Sequence, residues 1–284
     1  MSETQGDVSG RVVAIWRYPV KSMLGEELNA TEVTERGLLG DRAYALIDEE
    51  TGKVVSAKNP RRWPTLFDFR AAYTEPPRDA GSLPPARITF PDGESITTDQ
   101  ADADPRLSAG VGRPVRLARS AAGGAVAEGY WPDHDWLSQR DEVFEFPLPP
   151  GTFFDGAAVH LVTTETLDRL RSLAPASRFE VPRFRPNFVI ATEGGAEGFI
   201  ENTWIGRWLA FGDVVLRVDG PCPRCVMTTL SQGSLPKDPG VLRTAVREND
   251  GNVGVYATVV KGGRVRRGDG VTLSRTPLTP RAAR

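Results

Sequence analysis

VGVYATVVKGGRVRRGDGVTL, residues 253–273, is the stretch on which the reading of the fold turns. Its first residues are β-branched or aromatic, the side chains that suit a half-buried pleated surface. Gly262-Gly263 interrupts the run and RVRR resumes it, so the spacing predicts the chain's last hairpin at that glycine pair. Similar runs lie upstream. RVVAIWRY (11–18) reads as an opening strand ending at Pro19, and NFVIAT (187–192), RWLAFG (207–212) and DVVLRVD (213–219) read as strands too. RAYALID (42–48) and GKVVSAK (52–58) flank the turn-prone Glu49-Glu50-Thr51-Gly52 and predict a hairpin. ARITF and ESITT predict another, folded about Pro91-Asp92-Gly93.

Two segments carry helix signals. TTETLDRLRSL (163–173) opens on hydroxyls and sets Leu167, Leu170 and Leu173 along one side. Asp238-Pro239 supplies a cap and a first-turn proline for GVLRTAVRE (240–248). Many strands with few helices make this a mainly β, α+β chain of barrel-like architecture. The stretch from Ser120 to Pro150 reads as irregular and marks the boundary between a first domain (10–125) and a second (135–275). The tail TPLTPRAAR is expected to be disordered.

Composition narrows the class. Hydrophobic residues make up 39% and charged residues 25%, the balance of a soluble globular protein with a proper core. Lys and Arg total 35 against 37 Asp and Glu, a net charge of −2 that argues against nucleic acid as a partner. No run approaches the roughly 18 apolar residues of a membrane span. MSETQGDVSG lacks the basic-then-apolar pattern of a signal peptide. With only two cysteines, the chain is expected to be cytoplasmic.

Both thiols fall in GPCPRCVMTTL (220–230), three positions apart. A thioredoxin-type dithiol needs a helix starting at the motif, and Val226-Met227-Thr228-Thr229 starts one poorly. Zinc needs four close ligands, whereas His134 and His160 lie far upstream. Two buried thiols with no chemistry, or one thiolate on a metal held otherwise by a cofactor, both remain open. Basic clusters recur near strand ends: Lys21-Ser22, Arg42, Arg61-Arg62, and Arg185 with Asn187. The proline after Arg185 predicts extended backbone there, which turns Arg185 and Asn187 the same way. Arginine forks suit phosphate and an Asn amide suits a heterocycle edge, so the clusters together hint at one anionic, heterocyclic ligand. Asp155, before an apolar strand, reads as a turn residue or as an acid beside a metal.

In order, YPVKS (18–22), GLLGDR (37–42), the stretch from Asp155, RPN (185–187), WIG (204–206) and PCPRCVMTT (221–229) resemble the molybdenum cofactor sulfurase C-terminal (MOSC) family. The likeness is to the branch with an N-terminal MOSC-associated β-barrel, which includes the amidoxime reducing component, and it covers roughly residues 10–273. It implies two β-barrel-like domains with a few short helices and the molybdenum cofactor (Mo-molybdopterin) between them. Cys225 would be the molybdenum ligand and Asp155 the nearby catalytic acid. Lys21, Ser22, Arg42, Arg185, Asn187, Thr228 and Thr229 would bind the cofactor, and Arg224 would favour the Cys225 thiolate.

The implied activity is a molybdenum-dependent oxidoreductase that reduces N-hydroxylated small molecules. A sulfur carrier with a persulfide on Cys225 and a non-catalytic cofactor binder are the alternatives. Relatives of the amidoxime-reducing type carry an acidic-proline turn after the two threonines; here Leu230-Ser231-Gln232-Gly233 stands in its place. With no appended iron–sulfur domain, electrons are expected from a separate flavin or iron–sulfur reductase. With no anchoring leader, no membrane association is expected.

Overall fold

Seven strands close on one another to form a barrel. In ring order they are Phe188–Thr192, Val159–Thr163, Asn252–Lys261, Val214–Pro223, Trp208–Phe211, Gly270–Ser274 and Asp7–Arg17, and the last pairs back onto the first. This computed structural model describes residues 7–119, 124–194 and 197–278, with side chains from residue 10 onward. Val159–Thr163 and Phe188–Thr192 are the one parallel pair in the ring. Parallel neighbours need a crossover, and the helix Thr164–Leu173 lies within it. Thr163 caps that helix by accepting from Thr166 N–H at 3.1 Å, as its hydroxyl predicts. Alternate residues point inward, so Leu161, Ile190, Leu216, Val218, Val255 and Ala257 fill the barrel. The chain's first strand thus lies in the same ring as strands from its far end.

A second core lies in the first half, under several small sheets. Arg70–Tyr73, Ala86–Thr89 and Ser95–Thr97 form one, and Tyr44–Asp48 pairs with Val115–Arg119 in another. Phe67, Phe69, Ile88 and Leu107 pack between them. Met227, from the thiol segment of the second half, is buried in this core, and Cys225 and Leu230 pack against it. Burying a methionine side chain contributes about 2 kcal/mol, so the docking of that segment is itself stabilising.

The mainly β class and the two capped helices follow the sequence; other details depart from it. The hairpin about Pro91-Asp92-Gly93 forms, with Ile88 opposite Ile96. The one at Gly262-Gly263 does not. Its second arm, Gly263–Arg266, leaves the barrel and pairs with Ala30–Thr34. A Cβ at Gly262 would lie 2.4 Å from Val33 O, so the glycine serves a close crossing between sheets. The proposed partner of RAYALID is reduced to a single antiparallel bridge, Ile47 with Val54. The irregular stretch holds a regular hairpin, Ala125–Trp131 with Glu142–Leu148, whose strands the glycines and prolines around them conceal. The helix Ala103–Val111 carried too weak an apolar stripe to be recognised. Of the tail TPLTPRAAR, residues 279–284 lie outside the described residues.

Candidate functional site

The barrel strand Val214–Pro223 carries Cys222 at its end, and Cys225 then caps a short 3-10 turn, Val226–Thr229. The turn is fastened from within. Thr228 Oγ1 donates to Cys225 O at 3.0 Å and Thr229 Oγ1 to Val226 O at 2.8 Å. Arg183, fully buried, fastens it from below. Its guanidinium donates to Thr228 O and Leu230 O, both at 3.2 Å, to Pro236 O at 2.7 Å and, through Nε, to Arg178 O at 2.7 Å. Carbonyls that would otherwise lack partners in a buried loop are thereby satisfied.

Above this turn lies an open cleft between the two halves, with about 100 Å³ of enclosed space. Lys21, Ser22, Arg42 and Lys58 line it from the first half; Asp155, Arg185, Asn187 and Cys225 line it from the second. Ser22 (φ 64°), Arg42 (φ 46°) and Arg185 (φ 52°) all adopt left-handed backbone there. Such strain persists only where surrounding contacts over-determine it.

The contacts are specific. Arg42 and Arg185 both stack on the Tyr18 ring, at 4.4 and 4.2 Å from its centroid. Asp41 holds Arg42 and also accepts from Tyr18 N–H and Asn187 Nδ2. Arg185 donates to Met23 O at 2.6 Å, yet among the described residues no carboxylate lies within ion-pair distance of it. Burial first, and then repulsion from Arg42, lowers its pKa to about 10. Unlike Arg183, whose guanidinium is occupied by four carbonyls, Arg185 keeps donors available to an anion.

Asp155 receives a lysine on each oxygen, Lys21 on Oδ1 and Lys58 on Oδ2, the latter at 2.9 Å. Burial pushes this carboxyl up, but the two ammonium groups outweigh it and hold it well below the usual carboxylate range. Lys21 goes the other way, lowered to about 8 by burial against the pull of Asp155. Lys58 is raised: burial opposes its charge, and Asp155 and Cys225 override it.

The cleft therefore gathers seven of the sequence-derived residues: Lys21, Ser22, Arg42, Asp155, Arg185, Asn187 and Cys225. Thr228 and Thr229 are buried behind the wall and brace it instead. Arg61 and Arg62 are elsewhere, paired to Asp141 and to Asp48 and Glu50. The Asn187 amide is engaged by the protein, donating to Asp41 and accepting from His160 N–H at 3.1 Å. Arg185 is not extended: it ends the helix Val181–Phe184 in a left-handed cap, donating N–H to Val181 O, which overrides the proline's preference. Arg224 reaches Cys225 through its charge alone, not by a hydrogen bond. Its guanidinium donates to Cys222 Sγ at 2.6 Å and to Phe184 O at 2.8 Å. Lys58 and Asp41 went unnoticed in the sequence. Asp41 had a cue, its place beside Arg42; Lys58 had none, since only the tertiary fold brings it to Asp155. No cluster of three or more His, Cys, Asp or Glu suited to a metal occurs among the described residues.

A mainly β protein of two halves, with a cationic cleft at their seam and one half-buried thiol in its wall, is the class these observations define. Residues 9–124 match the MOSC N-terminal beta barrel domain and residues 150–272 the MOSC domain, so the chain belongs to the MOSC family. It is similar to mitochondrial amidoxime reducing component 2 of Rattus norvegicus, 26% identical over 92% of this chain and 82% of the relative. A shorter stretch, 27% of this chain, is 37% identical to 9% of the molybdenum cofactor sulfurase of Drosophila mojavensis. Among solved structures, the YuaD protein from Bacillus subtilis aligns over 93% of this chain and 95% of its own at 13% identity, with a TM-score of 0.46.

Proposed function

We propose that this protein is a molybdenum-cofactor-dependent oxidoreductase that reduces N-hydroxylated small molecules, with Cys225 as the metal's protein ligand. The observation that carries the reading is the pairing, in one cleft wall, of a half-buried free thiol with a buried guanidinium that lacks a counter-ion. A dithiolene-bearing, phosphorylated pterin presents an anion to Arg185, the guanidinium of the cleft without a carboxylate partner, with Arg42 and Lys21 adding positive charge beside it. Its metal needs one soft protein ligand, and a single thiolate suffices. The similarity to the rat amidoxime reducing component supports the choice of substrate class.

When bound, the cofactor would supply the two electrons that, with two protons drawn from solvent, convert an N–OH group to N–H and water. The chain's own residues supply the rest. Ser22 accepts from Ala57 N–H at 3.0 Å and so anchors the loop that carries Lys58. Phe153, Phe184 and Met227 form apolar parts of the cleft lining. Asp155 is fully ionised at neutral pH, so it orients the two ammonium groups and does not itself donate a proton. Lys21, with a pKa near 8, is the acid in the cleft able to release and regain one. A separate flavin or iron–sulfur reductase would deliver the electrons.

The test is direct. Protein made in a host that synthesises the cofactor should hold about one molybdenum per chain and, once chemically reduced, turn over benzamidoxime. Cys225→Ala should abolish turnover; turnover that survives it sinks the mechanism. The sulfurase similarity keeps a sulfur carrier as the second reading. Metal-free protein with sulfane sulfur on Cys225, seen by mass spectrometry, would decide for it.

A further inference from the structure

A second cavity, of about 240 Å³, opens on the other side of Arg185. Trp16, Tyr18 and Leu24 wall it from the first half, and Pro182 and the turn Gln232–Leu235 from the second. We infer that it binds a small planar aromatic carboxylate, a ligand distinct from the occupant of the main cleft.

Charge, shape and chain chemistry agree on that class. Three guanidiniums face the cavity, those of Arg70, Arg178 and Arg185, against one carboxylate, that of Glu180. Glu180 is taken by Arg178, at 3.5 Å. Arg185 is only 7% exposed, and its one hydrogen bond, to Met23 O, leaves most of its fork without a partner. Arg70 likewise has a single bond, from Nη1 to Gly25 O at 3.0 Å. A flat carboxylate matches an arginine fork on two bonds at once. Charge alone does not separate a carboxylate from phosphate; the apolar lining from Trp16, Leu24 and Leu235 favours an anion that carries a ring. Trp16, half-buried, offers a ring a flat apolar face; the Tyr18 ring, 6.5 Å away and 18° from parallel to it, is itself covered by Arg42 and Arg185. Opposite them the turn is closed by Gln232 N–H to Leu235 O and Leu235 N–H to Gln232 O, at 3.0 and 2.9 Å. No acid stands at Leu230, Ser231, Gln232 or Gly233, so nothing on that wall neutralises the guanidiniums.

Calorimetric titration of the metal-free protein with sodium benzoate tests the assignment, and intrinsic fluorescence reports on Trp16 in parallel. Working without metal separates it from the proposed redox function: either idea can fail while the other stands. Benzoate should bind saturably below about 10 mM and should bind more tightly than inorganic phosphate. Arg70→Ala removes an exposed side chain of this cavity alone and should weaken benzoate about tenfold. Lys58→Ala, which alters only the main cleft, should leave it unchanged. Trp16→Phe should remove most of the fluorescence response while the heat of binding persists. Three results would each overturn the inference: no saturable heat, phosphate binding as tightly as benzoate, or weakening by Lys58→Ala equal to that by Arg70→Ala.

Discussion

Lys58 shows how one side chain can set the electrostatics of the cleft. It shares Asp155 with Lys21, one oxygen each, and its ammonium lies 4.5 Å from the centre of the Phe146 ring. Removing it leaves Asp155 with one counter-ion and frees Lys21 to follow the carboxylate, so the acid able to supply the proton moves. Lys58→Ala should therefore lower turnover about 10–100-fold while molybdenum content holds, the usual effect of losing a supporting partner. Lys58→Arg, which keeps the charge, should recover most of it. A shifted pH–rate profile in the alanine variant separates this positioning role from simple loss of fold, because unfolding would lower the whole profile without moving it. Loss of molybdenum in step with activity would show instead that Lys58 holds the cofactor.

At the scale of elements, the thiol turn depends on a residue that never reaches the cleft. Arg183 joins the carbonyls of Thr228, Leu230 and Pro236 from inside the protein, so its removal strands several buried acceptors at once. Arg183→Met, close in volume but without donors, should cost about 3 kcal/mol, read as a fall of several degrees in Tm. Unchanged Tm would mean that water replaces the guanidinium without cost. The elements differ in how far the sequence disclosed them. The helices at Thr164 and Pro239 announced themselves through local chemistry, a hydroxyl cap followed by leucines at helical spacing in the first and a carboxylate cap with a first-turn proline in the second. The order of motifs located the residues that meet in the cleft. What stayed hidden depends on distant partners. Gly262-Gly263 reads as a turn until Val33 is known to lie against it. Arg185 reads as extended until the helix before it must end. Arg183 reads as one more surface arginine, and Thr228 and Thr229 as ligand contacts, until the loop they brace is seen.

Across the whole molecule the seam imposes a pH dependence. His160 sits in the barrel strand that faces the cleft, with its Nε2 3.2 Å from Val253 O and its ring 6.0 Å from that of Tyr256. A Cβ at Gly254 would lie 2.5 Å from Nε2, so the ring fits only because that position is glycine. Burial, helped by the charge on Arg224, lowers the pKa of this imidazole to about 3. The folded protein keeps it neutral, while the unfolded chain takes up a proton near the ordinary histidine value of about 6.5. Between those two values the unfolded state binds more protons, so stability falls as pH falls, by about 1.4 kcal/mol per unit from this group. Asp155 adds a second acid-sensitive step. Its folded pKa is depressed, so the stability it contributes is present above about pH 4 and is lost on further acidification. Urea denaturation of the metal-free protein at pH 6.5, 5.5 and 4.5 should show the first step on its own. His160→Gln keeps a donor for Val253 O but does not titrate, and it should flatten that slope while leaving the step below pH 4 in place. If the wild type were already flat from pH 6.5 to 4.5, the imidazole would be charged in the folded state. A cation would then stand beside Arg224 with only backbone carbonyls to balance it, and the packing of the seam as described would be wrong at that point.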